Sequence, residues 1–114
     1  MKLRLARQSH SNAVVVAVEG ELDLFTAPFL REEVRDAIRD DGPSLVLDLA
    51  ALSFMDSSGL SVLIEAWRIS ASQGGAVCLA APQPPVARIL KTTGLDRRIK
   101  IYPDVDTAIL RHPE

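Results

Sequence analysis

The sequence is poor in the side chains that catalysis, metal binding and disulfide bonding use most often. Its 114 residues hold one cysteine and two histidines. Because Cys78 has no second cysteine to pair with, an internal disulfide is excluded, and its place in the apolar run 76–80 favours a small buried side chain over a reactive thiol. His10 and His112 lie near the two ends of the chain, and no His/Cys cluster has the spacing of metal ligands. We therefore expect no metal site and no cofactor.

Long apolar runs and an excess of positive charge are also missing. No apolar run approaches the roughly 18 residues of a membrane-spanning helix, and no apolar segment typical of a signal peptide follows the N-terminus. The formal net charge is -2, whereas a nucleic-acid-binding domain usually presents a basic face. We therefore expect a cytoplasmic protein that neither binds nucleic acid nor inserts into a membrane.

What is present is the composition of an ordinary globular protein. The apolar fraction is 47% and the charged fraction 25%, which is typical of folded rather than disordered chains. The length suits a single domain, residues 1–114. Strand and helix patterns follow one another in the order β-β-α-β-α-β-α-β-α, which predicts right-handed βαβ units and a largely parallel sheet. The tail from Arg111 onward is expected to fray.

The most informative segment is residues 52–60, with Asp56-Ser57-Ser58-Gly59 inside it, between the apolar strand pattern 45–49 and an amphipathic helical pattern. Its hydroxyls lie where a helix begins, and there unpaired backbone N–H groups and the helix dipole favour added negative charge. A serine at this place is a candidate switch. One of Asp56, Ser57 and Ser58 can equally serve as an ordinary helix cap, and from these residues alone the cap is the simpler interpretation.

A second acidic element, Gly20-Glu21-Leu22-Asp23, leaves the preceding parallel strand. Because the carboxyl ends of parallel strands meet at the same edge of a sheet, we expect Asp23 and the serines to be neighbours. Thr26 is expected to cap the helix that follows, with Pro28 in its first turn. The pattern leaves open which nearby apolar residues are contacts and which are core, and we expect a mixture among Leu24, Phe25 and Phe29.

A serine at a strand-to-helix turn is also where a hydrolase places its nucleophile. The nucleophile elbow requires Gly-x-Ser-x-Gly, but Met55 and Asp56 precede Ser57 here. Nothing in the sequence brings either histidine to the turn as a general base. A serine hydrolase is therefore the weakest of the functional hypotheses.

Four motifs taken together resemble the STAS domain, and above all the stand-alone anti-sigma factor antagonists. They are spread over nearly the whole chain in the family's order: Gly20-Glu21-Leu22-Asp23, residues 52–60, Gly74-Gly75 before a strand, and Thr93-Gly94-Leu95. The resemblance implies an α/β fold of the STAS type. Such a fold has a small mixed, mostly parallel β-sheet with an N-terminal edge strand and about four helices packed mainly on one side.

The resemblance also implies protein binding rather than catalysis. Members of this family bind an anti-sigma factor that is also a serine/threonine kinase, and so release a sigma factor. That kinase phosphorylates the first serine after the aspartate, which corresponds to Ser57, and a phosphoserine phosphatase reverses the change. Asp23 corresponds to an acidic residue that helps to engage the kinase, and ATP and magnesium belong to the kinase.

The residues expected to bind the partner lie in the two acidic elements: Asp23, Thr26, Met55, Asp56, Ser57, Ser58 and Gly59. One alternative stays within the same family. It is a STAS module in a lipid-transport complex or a signalling scaffold, which would also bind protein but regulate no sigma factor.

Overall fold

A six-stranded sheet frames the computed structural model, which describes residues 2–112. Along the chain the elements are β1 (Leu3–Ser9), β2 (Val14–Leu22), α1 (Ala27–Asp41), β3 (Leu45–Asp48), β4 (Leu52–Met55), α2 (Ser57–Ser72), β5 (Val77–Ala80), α3 (Pro84–Thr92), a 3₁₀ turn (Leu95–Arg97), β6 (Lys100–Tyr102) and α4 (Val105–Leu110). The strand order is β1-β2-β3-β5-β6, and β4 pairs with β2. Only the β1–β2 pair is antiparallel in this sheet, so the mixed, mostly parallel arrangement and the edge strand are confirmed.

The main core lies between one face of the sheet and the helices α1, α2 and α3. Helix α1 shows how the sequence sets this packing, because Leu30, Val34, Ala37 and Ile38 recur at helical spacing and are all buried. A smaller core on the opposite face packs Ala108 of α4 against the sheet. Three helices therefore cover one face and one covers the other, as expected.

Strand β2 is longer than the sequence pattern indicates, and this length creates the site. Its first half pairs with β3, Val14 opposite Leu45, and its second half pairs with β4, Leu22 opposite Met55. The register shifts after Gly20, which has a φ of 109° and whose Cβ, if present, would collide with the Lys2 carbonyl. Glycine is needed here because the bulge requires a positive φ and leaves no room for a side chain.

Two sequence expectations are wrong in detail. The predicted element order has no strand at residues 52–55, but these residues form β4, because the long strand β2 provides a partner for them to pair with. The two serines lie in the first turn of α2, where the sequence places the start of a helix. The tail does not fray at His112, which is 8% exposed and has Nε2 3.0 Å from the Leu45 carbonyl oxygen. The rest of the expected frayed tail, residues 113–114, lies outside the described residues.

Candidate functional site

Two strand ends bring the acidic elements together. The backbone N–H of Asp56 donates a hydrogen bond of 3.1 Å to the carbonyl of Leu22, and the residue after Leu22 is Asp23. The loop from Asp23 to Thr26 therefore lies beside the N-terminus of α2, as the sequence predicted. The two elements share a groove, which is lined by Leu24, Ala27, Pro28, Arg31, Ser58 and Ser61.

Asp56, and not a serine, caps α2. Its Oδ1 accepts hydrogen bonds from the backbone N–H groups of Ser58 at 2.8 Å and Gly59 at 3.3 Å. Ser57 is the first residue of the helix, and it is exposed. Within residues 2–112 its hydroxyl has no hydrogen-bond partner, while its carbonyl accepts a hydrogen bond from the hydroxyl of Ser61 at 3.0 Å. Because the aspartate serves as the cap, the Ser57 hydroxyl is left available for chemistry.

Gly59 lets the first turn of α2 lie directly on the sheet. A Cβ at this position would come within 2.7 Å of Leu22 Cδ2 and of Met55 Cγ. Met55 is only 2% exposed, and Gly59 is buried. The structure therefore places Met55 and Gly59, which the sequence predicts as partner contacts, beneath the surface of the protein itself. The close packing of Met55 and Gly59 sets the distance between the sheet and the first turn of α2, which carries Ser57 and Ser58.

The Asp23 carboxylate organises its own loop. Its Oδ1 accepts hydrogen bonds from the backbone N–H groups of Thr26 at 3.0 Å and Phe25 at 2.9 Å. The N–H from Thr26, followed by that from Phe25, holds the pKa of Asp23 below its usual value of 3.8. Asp23 is thus negatively charged at neutral pH, and one of its oxygens is engaged in the turn.

Thr26 stabilises this loop from inside. Its hydroxyl lies 2.8 Å from the Glu21 carbonyl and accepts the N–H of Asp23 at 2.9 Å. It makes no side-chain cap to α1, and only 4% of the residue is exposed. Thr26 stands at the N-cap position of α1, as expected, but its hydroxyl is used within the turn that precedes the helix. The structure buries this residue, which the sequence predicts as a partner contact.

Large apolar side chains are exposed on the loop that follows β2 and on β4. Leu24 is 67% exposed, Phe25 81% and Phe54 47%, and we call these three residues the apolar rim. The expected mixture of core and surface is wrong, because Phe29 is also exposed, at 48%, and lies on the β1 side of α1. Phe54 is not among the partner-binding residues predicted from the sequence, because it is one of two consecutive exposed residues in β4 and gives no alternating signal.

An ion pair joins the two helices below the groove. Arg31 Nε on α1 lies 3.0 Å from Glu65 Oε2 on α2, and Arg35 Nη2 lies 3.5 Å from the same oxygen. The charge of Arg31 is therefore partly balanced by a carboxylate of the protein. The carboxylates beside the hydroxyls, Asp23 and Asp56, form no ion pair within the described part of the chain.

Neither histidine reaches the serines. His112 contacts Leu45 at the start of β3. His10 lies in the turn between β1 and β2, and β2 begins at Val14, which pairs with Leu45. The serines stand at the other end of β2, beyond Met55. Among residues 2–112 no group of His, Cys, Asp and Glu side chains is arranged to hold a metal ion, and no helix there has both the length and the hydropathy to cross a membrane.

The family model described as the STAS domain matches residues 4–108. The chain belongs to the STAS family. It is 35% identical over 103 residues to the anti-sigma F factor antagonist of Paenibacillus polymyxa, an alignment that covers 90% of this chain and 88% of that protein.

Solved structures of STAS proteins have the same fold. An anti-sigma factor antagonist from Mycobacterium paratuberculosis superposes with a TM-score of 0.88 at 31% identity, covering 98% of this chain and 95% of that one. The Bacillus cell fate determinant SpoIIAA in its phosphorylated form superposes with a TM-score of 0.73 at 25% identity, covering 96% and 97%. The STAS-type fold expected from the sequence is thus confirmed.

Proposed function

We propose that this STAS protein is an anti-sigma factor antagonist, which binds an anti-sigma factor with serine/threonine kinase activity and so releases a sigma factor. Its relatives carry the names of such antagonists. The observation that carries the proposal is the exposed hydroxyl of Ser57, which has no partner within residues 2–112 and stands beside Asp56 and near Asp23. The protein acts in the cytoplasm as a binding regulator and not as an enzyme.

The contact face combines charge with apolar surface. Asp23, Ser57 and Ser58 and the apolar rim meet the partner directly, while Asp56, Thr26, Met55 and Gly59 hold that face in shape. Apolar anchors with a few polar groups are typical of protein interfaces, in which a small number of side chains supply most of the affinity. The partner face that fits offers a cation to Asp23 and an apolar recess to Phe25.

Phosphorylation of Ser57 ends the interaction in this scheme. A phosphate adds about -1.5 to -2 charges at neutral pH. The N-terminus of α2 tolerates that charge, because its N–H groups and dipole face it, so the antagonist stays folded. At the interface the phosphate stands beside Asp56 and near Asp23. Like charges at a contact cost several kcal/mol, and about 1.4 kcal/mol is tenfold in affinity.

The same geometry allows the switch to be reset. Because Ser57 is exposed and lies on a preformed helix end, a phosphoserine phosphatase can reach the phosphate without unfolding the protein. ATP and magnesium are supplied by the partner kinase. The antagonist itself needs no cofactor for either state.

The apolar rim provides a matched test. Phe25 is 81% exposed on the proposed face, and Leu110 is 82% exposed on α4, on the opposite side of the sheet. Phe25→Ser should weaken binding to the anti-sigma factor of the same genome by at least about tenfold in titration calorimetry, as for an interface anchor. Leu110→Ser should leave the affinity unchanged. Equal losses in the two variants, or none in Phe25→Ser, would place the contact elsewhere.

The other members of the family define the alternative, a STAS module of a lipid-transport complex or signalling scaffold. A pull-down with the unmodified protein separates the two. Recovery of a kinase-fold anti-sigma factor supports the antagonist. Recovery of transporter or scaffold subunits alone would favour the alternative.

A further inference from the structure

A cleft of about 240 Å³ opens between α2 and the segment that follows α3. Its walls combine apolar side chains with two guanidinium groups: Leu60, Ile64, Trp67, Arg68, Thr93, Leu95 and Arg98. None of these residues belongs to the acidic elements or to the apolar rim. The cleft is therefore a feature that partner binding does not explain.

The two arginines of this cleft, unlike several arginines elsewhere in residues 2–112, form no ion pair with a carboxylate. On α1, for example, Arg31 pairs with Glu65 at 3.0 Å. No carboxylate of the described residues forms an ion pair with Arg68 or Arg98, although Asp96 is close to Arg98 in sequence. Two exposed positive charges, neither of them in an ion pair within residues 2–112, thus border an apolar cleft.

Trp67 holds one of these charges over the cleft. The guanidinium carbon of Arg98 lies 6.0 Å from the centre of the Trp67 ring, which is within the range of a cation–π contact. Within residues 2–112 the guanidinium has no carboxylate partner, so its N–H donors can meet an anion. Leu60, Ile64 and Trp67 are only partly buried, so their apolar surface is available in the cleft.

We propose that this cleft binds a small amphiphilic carboxylate, with a medium-length acyl chain along the apolar wall and the carboxylate between Arg68 and Arg98. The planar guanidinium matches a carboxylate in shape and charge. The volume lies below the range of about 300–1,000 Å³ that ligand sites in proteins usually span, so the ligand is a small molecule and not a folded partner. The proposal does not depend on sigma-factor regulation.

Octanoate and 1-octanol are suitable probes, because their chains are matched and only one carries a charge. Trp67 is the only tryptophan, so its single indole N–H signal in NMR spectra reports on the cleft, and calorimetry gives the affinity. Octanoate should shift that signal saturably and bind at least about tenfold more tightly than 1-octanol, as expected for a charge-assisted contact.

Charge removal at the cleft completes the test. The double variant Arg68→Gln/Arg98→Gln should lose at least about tenfold in octanoate affinity. Arg88→Gln, an exposed arginine on α3 that does not line the cleft, is the matched control and should change nothing. Equal binding of the two probes, an equal loss in Arg88→Gln, no octanoate binding, or binding only to anionic lipid vesicles would each overturn the proposal.

Discussion

The N–H of Asp56 donates a hydrogen bond of 3.1 Å to the carbonyl of Leu22, and this contact ties the start of α2 to the end of β2. Asp23 follows Leu22 in the chain, and Ser57 follows Asp56. The hydrogen bond therefore holds the charged Asp23 near the exposed hydroxyl of Ser57. Any change that lifts the first turn of α2 from the sheet should disturb the whole face.

Gly59→Ala tests how closely that turn is packed. The added Cβ would come within 2.7 Å of side-chain atoms of Leu22 and Met55, so we expect a loss of about 1–3 kcal/mol in the free energy of unfolding. Denaturant titration measures it. Ser57→Ala changes an exposed residue of the same turn and is the control, expected within about 0.5 kcal/mol of the wild type. If Gly59→Ala were as stable as the control, the close packing of Gly59 against Leu22 and Met55 would be contradicted.

Ser70→Ala tests a buried hydroxyl on α2. Ser70 is 0% exposed, and its Oγ has no hydrogen-bond partner within the described residues. Its backbone carbonyl still accepts the N–H of Gly75 at 2.8 Å, which alanine keeps. Removing an unsatisfied buried group should raise the free energy of unfolding by about 1 kcal/mol. A loss of similar size would show that the hydroxyl is satisfied in solution.

Asp23→Asn separates the charge of Asp23 from its role in the turn. Asparagine keeps the acceptor oxygen for Thr26 and Phe25, so the loop should stay intact. The pKa of Asp23 in the folded state lies below 3.8, so the charge stabilises the fold above that pH, and this contribution is lost as the pH falls through the folded pKa. The wild type should therefore be the more stable at neutral pH.

The difference between wild type and Asp23→Asn should shrink in unfolding titrations below pH 3.8, the value from which the Asp23 pKa is lowered. A difference that stays constant across this range would mean that the hydrogen bonds do not favour the charged form. A variant that fails to fold at neutral pH would mean that the turn needs the carboxylate itself.

The sequence predicts the elements whose patterns are local. Helix α1 and the buried strand β3 follow from spacing alone, as does the antiparallel edge strand β1. Strand β4 does not follow from local spacing, because its middle residues Ser53 and Phe54 are both exposed. It is a strand only because it pairs with β2. Pairing between strands that are distant in the chain cannot be predicted from a sequence window of a few residues.

The candidate site shows the same division. The proximity of Asp23 to the serines follows from the rule that parallel strands end at one edge. The sequence does not predict which side chains are buried at that edge. Thr26 and Met55 are buried by contacts with residues distant in the chain or by the turn's own hydrogen bonds. The resemblance to a family names residues, and only the fold shows which of them are exposed and which are buried.

Phosphate mapping with affinity measurement tests the proposed switch most directly. The protein is incubated with the anti-sigma kinase of the same genome, ATP and magnesium, the modified residue is identified by peptide mass spectrometry, and the affinity of both forms for the kinase is measured. We expect phosphate on Ser57, a loss of at least about a hundredfold in affinity, and no modification of Ser57→Ala, with Ser58→Ala modified normally. Phosphate on Ser58 alone, or unchanged affinity after modification of Ser57, would contradict the switch.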